Sequence, residues 1–127
     1  MIEVKCYCGS LQSFHKCCEP ILNGSAKATT ARELMRSRYS AYVTHNAAYL
    51  VATTVTHTRA MHSFDDILQW AKNNTWITLE IIAFTDTMVE FKAYYTDANN
   101  KGYIHHERST FVKENGDWFY ENGVFIH

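Results

Sequence analysis

All four cysteines of this chain lie in one short stretch near the N-terminus. Their spacing is C-x-C-x8-C-C, with Cys6 and Cys8 in a first arm and Cys17 and Cys18 in a second. Four thiolates suit tetrahedral Zn²⁺, which takes sulfur ligands readily and imposes no geometry of its own. Because four sulfurs close the coordination sphere, the pattern predicts a structural zinc knuckle and not a catalytic metal.

Two alternatives stay open for the ligand set. His15 lies between the arms and could replace one cysteine as a ligand. Adjacent Cys17 and Cys18 point in different directions unless the backbone turns, so one of them could remain free. Without a metal, the stretch would hold reduced thiols or a disulfide, but clustering in a reducing compartment favours the metal.

Composition limits the classes of partner. The formal net charge is −1, which leaves no electrostatic footprint for nucleic acid or an anionic membrane. No apolar run approaches the roughly 18 residues of a membrane span, and MIEVKCYCG lacks the apolar core of a signal peptide. We therefore expect a cytoplasmic protein.

The elements that position these residues begin with helices. Thr30 and Glu33 form a T-x-x-E capping box, which predicts a helix from 31 to about 44, and 47–53 could form a second. The β-branched residues of 54–62 are interpreted as a short strand or edge hairpin. A further helix should start at Ser63, with an apolar stripe expected in the core: Phe64, Ile67, Leu68 and Ala71.

Strands follow the helices. From Thr75 the hydrophobic period becomes two, which predicts four strands at about 76–82, 88–95, 103–113 and 118–125. Helices followed by a four-stranded antiparallel meander indicate an α+β fold with the helices packed on one face of a curved sheet. We divide the chain into a knuckle with its connector, 1–28, and a domain, 29–127.

Several motifs resemble a known family. C-x-C-G-S followed by C-C resembles the SEC-C motif, named for the zinc-binding C-terminus of the translocase motor SecA. LMRSRYSAY at 34–42, HERSTF at 106–111 and GDWFY at 116–120 are similar to the YchJ-like bacterial family. The resemblance implies an NTF2-like fold, a cone whose curved sheet wraps helices around a cavity. It also implies zinc at Cys6, Cys8, Cys17 and Cys18, and it implies no established activity.

The chain departs from the family pattern at two places. Leu11 stands where the motif usually has a second glycine, so we expect a less tight turn there. Thr54-Val55 stands where relatives tend to have a tryptophan–histidine pair. A cavity role for that histidine would then pass to His57 or be lost.

The open end of such a cone is where a ligand would enter. Arg38 lies on an otherwise apolar helical face, and a buried arginine needs a carboxylate, for which Glu107 is the best candidate. We expect this ion pair to be structural more than catalytic. The six candidate cavity residues are Arg38, Tyr42, Trp70, His106, Glu107 and Trp118.

These features favour a zinc-binding protein that is an interaction module or a small-ligand-binding module. A protein partner would dock on the zinc knuckle, a small ligand would enter the cavity, and a homodimer would form through the sheet by analogy with NTF2-like domains. The alternative is a small-molecule enzyme of the isomerase or dehydratase type, with His106 and Glu107 moving a proton.

Overall fold

Helices occupy the first part of the chain and strands the second, as a computed structural model that describes residues 4–126 shows. A short 3₁₀ helix, Phe14–Lys16, runs into the first α-helix, and a second one, Thr56–Met61, lies between the third and fourth. Within the described residues the helices are α1 (Cys18–Leu22), α2 (Ala31–Val43), α3 (Ala47–Ala52) and α4 (Phe64–Asn73). The strands are β1 (Thr75–Phe84), β2 (Met88–Thr96), β3 (Gly102–Glu114) and β4 (Asp117–Phe125).

The four strands form one antiparallel sheet in the order β1-β2-β3-β4. This meander with preceding helices confirms the α+β class. The register shifts once between Thr110 and Phe111 in β3 and twice along β1, and such bulges bend a strand and increase its twist. The core lies where α2 covers one face of the sheet, and its buried side chains are Ala31, Leu34, Met35, Tyr39, Leu79, Val89, Phe91, Ala93 and Phe111.

Helix α2 begins where the capping pattern predicts. The backbone of Thr30 is extended, and its hydroxyl accepts a hydrogen bond from the Glu33 N–H at 3.0 Å. The Glu33 carboxylate accepts from the Thr29 N–H at 2.7 Å, one residue earlier than the usual capping box. The first contact satisfies an amide that the helix itself leaves without a partner, and the second fixes the residue before the N-cap.

The interpretation of 54–62 as a strand or hairpin is wrong. Thr54 makes one isolated parallel bridge with Tyr120, and the chain then turns into the 3₁₀ helix. The Arg59 side chain stabilises this turn, because its guanidinium donates to the carbonyl of Thr54 at 3.0 Å and to that of Ala52 at 3.2 Å. β-branched residues alone could not reveal this tertiary contact.

The apolar stripe of α4 is only partly in the core. Ala71 is fully buried, but Phe64 is 47% exposed, and Ile67 and Leu68 are half-buried. Ser63 does cap the helix, as expected, by accepting from the Asp66 N–H. The stripe is less buried than a core stripe because α4 borders a cavity instead of packing flat on the sheet. Within residues 4–126, no helix is both long and apolar enough to cross a bilayer.

A tight loop joins the two cysteine arms. Lys5 and Ser13 form an isolated antiparallel bridge, and the Cys6 N–H donates to the Gln12 carbonyl at 2.8 Å. Between them, Gly9 has φ +83° and Leu11 has φ +72°. The left-handed region costs a residue with a Cβ roughly 1–2 kcal/mol. Leu11 thus keeps the turn that the motif usually builds with glycine, at a cost in strain.

We predict that Leu11→Gly stabilises the protein by about 1 kcal/mol, because glycine adopts positive φ without strain. Urea unfolding followed by circular dichroism measures the change. Leu11→Ala is the control, since it removes the exposed side chain but keeps the Cβ at positive φ. Equal effects of the two substitutions would contradict the strain argument.

Candidate metal centre and polar cavity

The four cysteine sulfurs converge on one point. The Sγ atoms of Cys6, Cys8, Cys17 and Cys18 all lie within 4.8 Å of one another. Cys17 Sγ is 3.6 Å from that of Cys8 and 4.0 Å from that of Cys18. A tetrahedron with metal–sulfur bonds of about 2.3 Å has sulfur–sulfur edges of about 3.8 Å. All four cysteines are free, and these separations far exceed the roughly 2.05 Å of a disulfide bond. The donor set therefore fits a closed four-sulfur metal site.

The backbone at Cys17 explains how adjacent cysteines share the site. Cys17 separates the first 3₁₀ helix from α1, with φ −109° and ψ −93°, and this turn directs both sulfurs to the same point. His15 lies outside the cluster. Its side chain is 80% exposed and its Nδ1 is 3.0 Å from the Glu19 carboxylate.

Helix α2 supplies polar neighbours to the sulfurs. Arg36 Nη1 donates to the Cys8 carbonyl at 3.2 Å and lies 3.8 Å from Cys8 Sγ. Ser40 Oγ, one turn later, is 3.7 Å from Cys6 Sγ. A divalent cation with four thiolates would carry a net charge of −2, and the Arg36 guanidinium would offset part of that charge. The cluster is thereby tied to the larger domain.

The sulfurs share protons when no metal holds them. Hydrogen bonds from Cys18 and Cys6 lower the pKa of the Cys8 thiol far below its ordinary value. Burial raises the pKa of the Cys17 thiol to about 11. Four sulfurs so close together can all lose their protons only when a cation binds them, and the cation would displace the remaining protons.

A second site is a cavity of about 410 Å³ between α2, α4 and the core-facing side of the sheet. This volume is within the range typical of small-molecule sites. Most of the wall is apolar and aromatic, with polar groups from α2, β3 and β4. The lining residues are Met35, Arg38, Tyr39, Tyr42, Thr54, His62, Ile67, Trp70, Trp76, Phe91, Ala93, His105, Glu107, Ser109, Tyr120 and Phe125.

Glu107 is the acidic group of the cavity, and its neighbours on the sheet satisfy it. His105 Nε2 is 2.8 Å from one carboxylate oxygen, while the hydroxyls of Ser109 and Tyr120 donate to the other. Burial favours a higher pKa for Glu107, but the hydrogen bonds from His105 and Ser109 outweigh it and lower the pKa. Gly123 on β4 leaves the space that the carboxylate fills.

Arg38 does not form the expected ion pair with Glu107. Its Nη1 donates to the Leu50 carbonyl at 3.0 Å and to Thr53 Oγ1 at 2.7 Å, both at the end of α3. The guanidinium lies over the Tyr120 ring, 4.6 Å from its centre. Among residues 4–126 no ion pair to Arg38 forms, because the oxygens of Glu107 already accept from residues of its own sheet.

Four of the six candidate cavity residues line the cavity: Arg38, Tyr42, Trp70 and Glu107. The prediction that His106 lines the cavity is wrong. Successive side chains of a strand alternate between faces, so His106 points away from Glu107 and lies 2.9 Å from Glu90 on the opposite face. His105 holds the cavity position. The prediction for Trp118 is also wrong, because Trp118 lines a separate cavity of about 250 Å³ near α1.

Sequence reasoning missed other cavity residues. His105 and Ser109 share the strand parity of Glu107, and that period of two could have identified them. Tyr120 and His62 carried no comparable signal. His57 is exposed and does not line the cavity, so it does not replace the histidine that relatives tend to have near 54–55.

Comparisons with known proteins agree with this architecture. Residues 30–123 match the family model described as "YchJ, middle NTF2-like domain". A UPF0225 protein of Geobacter sulfurreducens is 38% identical over 128 residues, which cover 95% of this chain and 79% of that protein. A UPF0225 protein of Yersinia pestis is 38% identical over 126 residues, which cover 94% of this chain and 82% of that protein.

Two solved structures are also similar. The solution structure of a SEC-C motif containing protein from Rhodopseudomonas palustris has a TM-score of 0.89 at 30% identity and covers 98% of this chain and 100% of that one. The crystal structure of a sec-c motif containing protein from Psychrobacter arcticus has a TM-score of 0.80 at 30% identity. The match covers 96% of this chain and 81% of that one. The NTF2-like fold and the SEC-C resemblance are confirmed.

We predict that Gly123→Ala destabilises the protein by about 1–3 kcal/mol, because a Cβ there would overlap the Glu107 carboxylate and approach Tyr120 Oη to 2.6 Å. Urea unfolding measures the loss. Gly102→Ala is the matched control, since a Cβ at that strand position meets nothing within 4 Å. A Gly123→Ala protein as stable as the control would contradict this close packing.

Proposed function

This chain belongs to the YchJ-like UPF0225 family, and on that premise we propose that it is a small-ligand-binding protein whose knuckle is held by a structural Zn²⁺. The observation that carries the proposal is the cavity of about 410 Å³, in which an arginine and a glutamate are buried beneath aromatic walls. Cavities of this size and composition are typical of small-molecule sites.

The zinc part of the proposal rests on the donor set. Cys6, Cys8, Cys17 and Cys18 would hold the ion, and a metal in such a closed site fixes the fold of the segment. The knuckle has a small core of its own, in which Phe14 and Leu22 pack against the cysteines. So small a core cannot hold a segment folded alone, and metal binding would supply the missing free energy.

We predict about one equivalent of zinc in protein purified without chelators, and an approximately tenfold or larger loss of zinc affinity in Arg36→Met. The guanidinium at Cys8 offsets thiolate charge, and loss of such partners typically weakens metal binding by that amount. Competition with a chromophoric chelator measures the affinity.

The matched control is Arg32→Met, one turn earlier on α2, where the guanidinium lies over Phe84 instead of the sulfurs. Less than half an equivalent of zinc in the unmodified protein would refute the zinc assignment. Equal affinities of the two variants would refute the role of Arg36 alone.

Binding is better supported than catalysis. The alternative of an isomerase- or dehydratase-like enzyme relied on His106 next to Glu107, but His106 lies on the other face of the sheet, and the histidine beside Glu107 in the cavity is His105. Hydrogen bonds lower the pKa of Glu107, which makes it a weaker base at neutral pH than a catalytic carboxylate would be. The protein partner of the knuckle and the homodimer stay predictions from the sequence.

We predict that small aromatic compounds shift the indole N–H signals of Trp70 and Trp76 in heteronuclear NMR spectra of the full-length protein. Both rings line the cavity, whereas Trp118 lines another and serves as an internal control. Screening a panel of such compounds at millimolar concentration is the test. A panel in which no compound moves the two signals would refute ligand binding.

A cavity-filling variant makes the test specific. Ala93→Leu should weaken binding about tenfold, because Ala93 lines the cavity and a larger side chain would occupy ligand space. Lys92→Leu introduces the same side chain at the preceding position, which faces the other side of the sheet. Equal effects of both variants would show that the compounds bind elsewhere.

A further inference from the structure

We infer that the cavity takes a small organic carboxylate with a flat, apolar body, and that Arg38 and Tyr42 bind its carboxylate group. This inference rests on the proposed ligand-binding function and specifies the chemistry of the ligand. It follows from hydrogen-bond donors at the cavity for which the described part of the protein supplies no acceptor.

The first observation is the buried charge of Arg38. The side chain is 8% exposed, and burial lowers its pKa, but a guanidinium stays charged in proteins. Buried arginines are rarely left without an anion, because their desolvation is costly. Among the described residues no carboxylate forms an ion pair with Arg38, and Arg38 is one of the residues that line the cavity. An anion entering the cavity would supply the missing partner.

The second observation is the set of unused donors on Arg38. Both hydrogen bonds to α3 come from Nη1, so that nitrogen is occupied. Nε and Nη2 carry three more N–H groups, and none of these has an acceptor within residues 4–126. The Nε and Nη2 donors are parallel, and together they match the two oxygens of a carboxylate.

The third observation is the hydroxyl of Tyr42. Tyr42 lies four residues after Arg38 on α2, so both side chains lie on the same face of the helix and border the same cavity. No hydrogen bond to this hydroxyl forms within the described part of the chain. Burial raises the pKa of Tyr42, so the phenol stays protonated at neutral pH and can donate. It would be the second donor to the bound carboxylate.

Glu107 is near enough for its charge to favour the charged form of Arg38 and raise its pKa, but it forms no hydrogen bond or ion pair with Arg38. Its oxygens already accept hydrogen bonds from His105, Ser109 and Tyr120, and these bonds stabilise its negative charge locally. The polar groups that the cavity leaves open on α2 are therefore donors. A ligand that complements them brings acceptors, and a carboxylate brings two together with the charge that Arg38 requires.

The rest of the cavity selects the body of the ligand. Trp70 and Trp76 meet edge to face with their ring centres 6.1 Å apart, and Tyr42 lies 5.3 Å from Trp76. The indole N–H of Trp76 is used in a hydrogen bond to the Ala71 carbonyl at 3.2 Å, which leaves carbon surface towards a ligand. Aromatic walls of this kind favour flat apolar groups.

The test compares naphthalene-2-carboxylate with naphthalene-2-carboxamide, which has nearly the same shape but no charge. Isothermal titration calorimetry on the full-length protein at neutral pH should give at least tenfold tighter binding for the carboxylate. Arg38→Met should abolish this preference, and Tyr42→Phe should weaken carboxylate binding three- to tenfold. His106→Gln, on the opposite face of the sheet, is the control and should change neither affinity.

The outcomes separate this inference from the proposed function. Equal binding of the two compounds would overturn the carboxylate inference and leave ligand binding intact. Absence of carboxylate binding at millimolar concentration would also overturn it, and the NMR panel would then decide ligand binding independently. If Arg38→Met does not fold, the ligand pair and Tyr42→Phe decide, and an unchanged carboxylate affinity in Tyr42→Phe would refute the role of that hydroxyl.

Discussion

The burial of α2 against the sheet is the interaction on which both candidate sites depend. Leu34 and Met35 anchor the helix in the core. Successive residues of a helix are rotated by about 100°, so side chains two positions apart point in nearly opposite directions. Arg36 accordingly reaches the cysteine cluster, while Arg38 borders the cavity. One helix therefore positions groups at both sites, and its placement fixes both.

This arrangement explains why the knuckle belongs to the domain. Its own core is small, and Arg36 and Ser40 of α2 contact its cysteines from outside. A closed metal site in this position would hold the N-terminal segment against the outer side of α2. The segment also reaches the sheet directly, because Lys27 forms an ion pair with Asp117 of β4 and Gly9 lies against the Leu79 carbonyl of β1. None of its described residues lines the cavity, so it would act on the cavity through α2 and these strands.

Much of the fold could be predicted because the responsible signals are local. Thr30 and Ser63 mark helix starts through hydrogen bonds to residues three positions on, and alternation along the strands identifies the sheet. The same alternation means that the adjacent residues His106 and Glu107 cannot share a face of the sheet. Applied strictly, it would have selected His105 as the histidine of the cavity. The acceptors of Arg38 were not predictable, because Leu50 and Thr53 belong to another helix and one of them offers a backbone carbonyl.

The position of Arg38 shows how a buried charge can be tolerated without an ion pair. Its hydrogen bonds to the end of α3 and its stacking on Tyr120 offset part of the desolvation cost, and they also hold the guanidinium in one orientation. A donor fixed before the ligand arrives loses little conformational entropy on binding. The contacts that make this arginine compatible with the fold are thus the same ones that prepare its remaining donors for an anion.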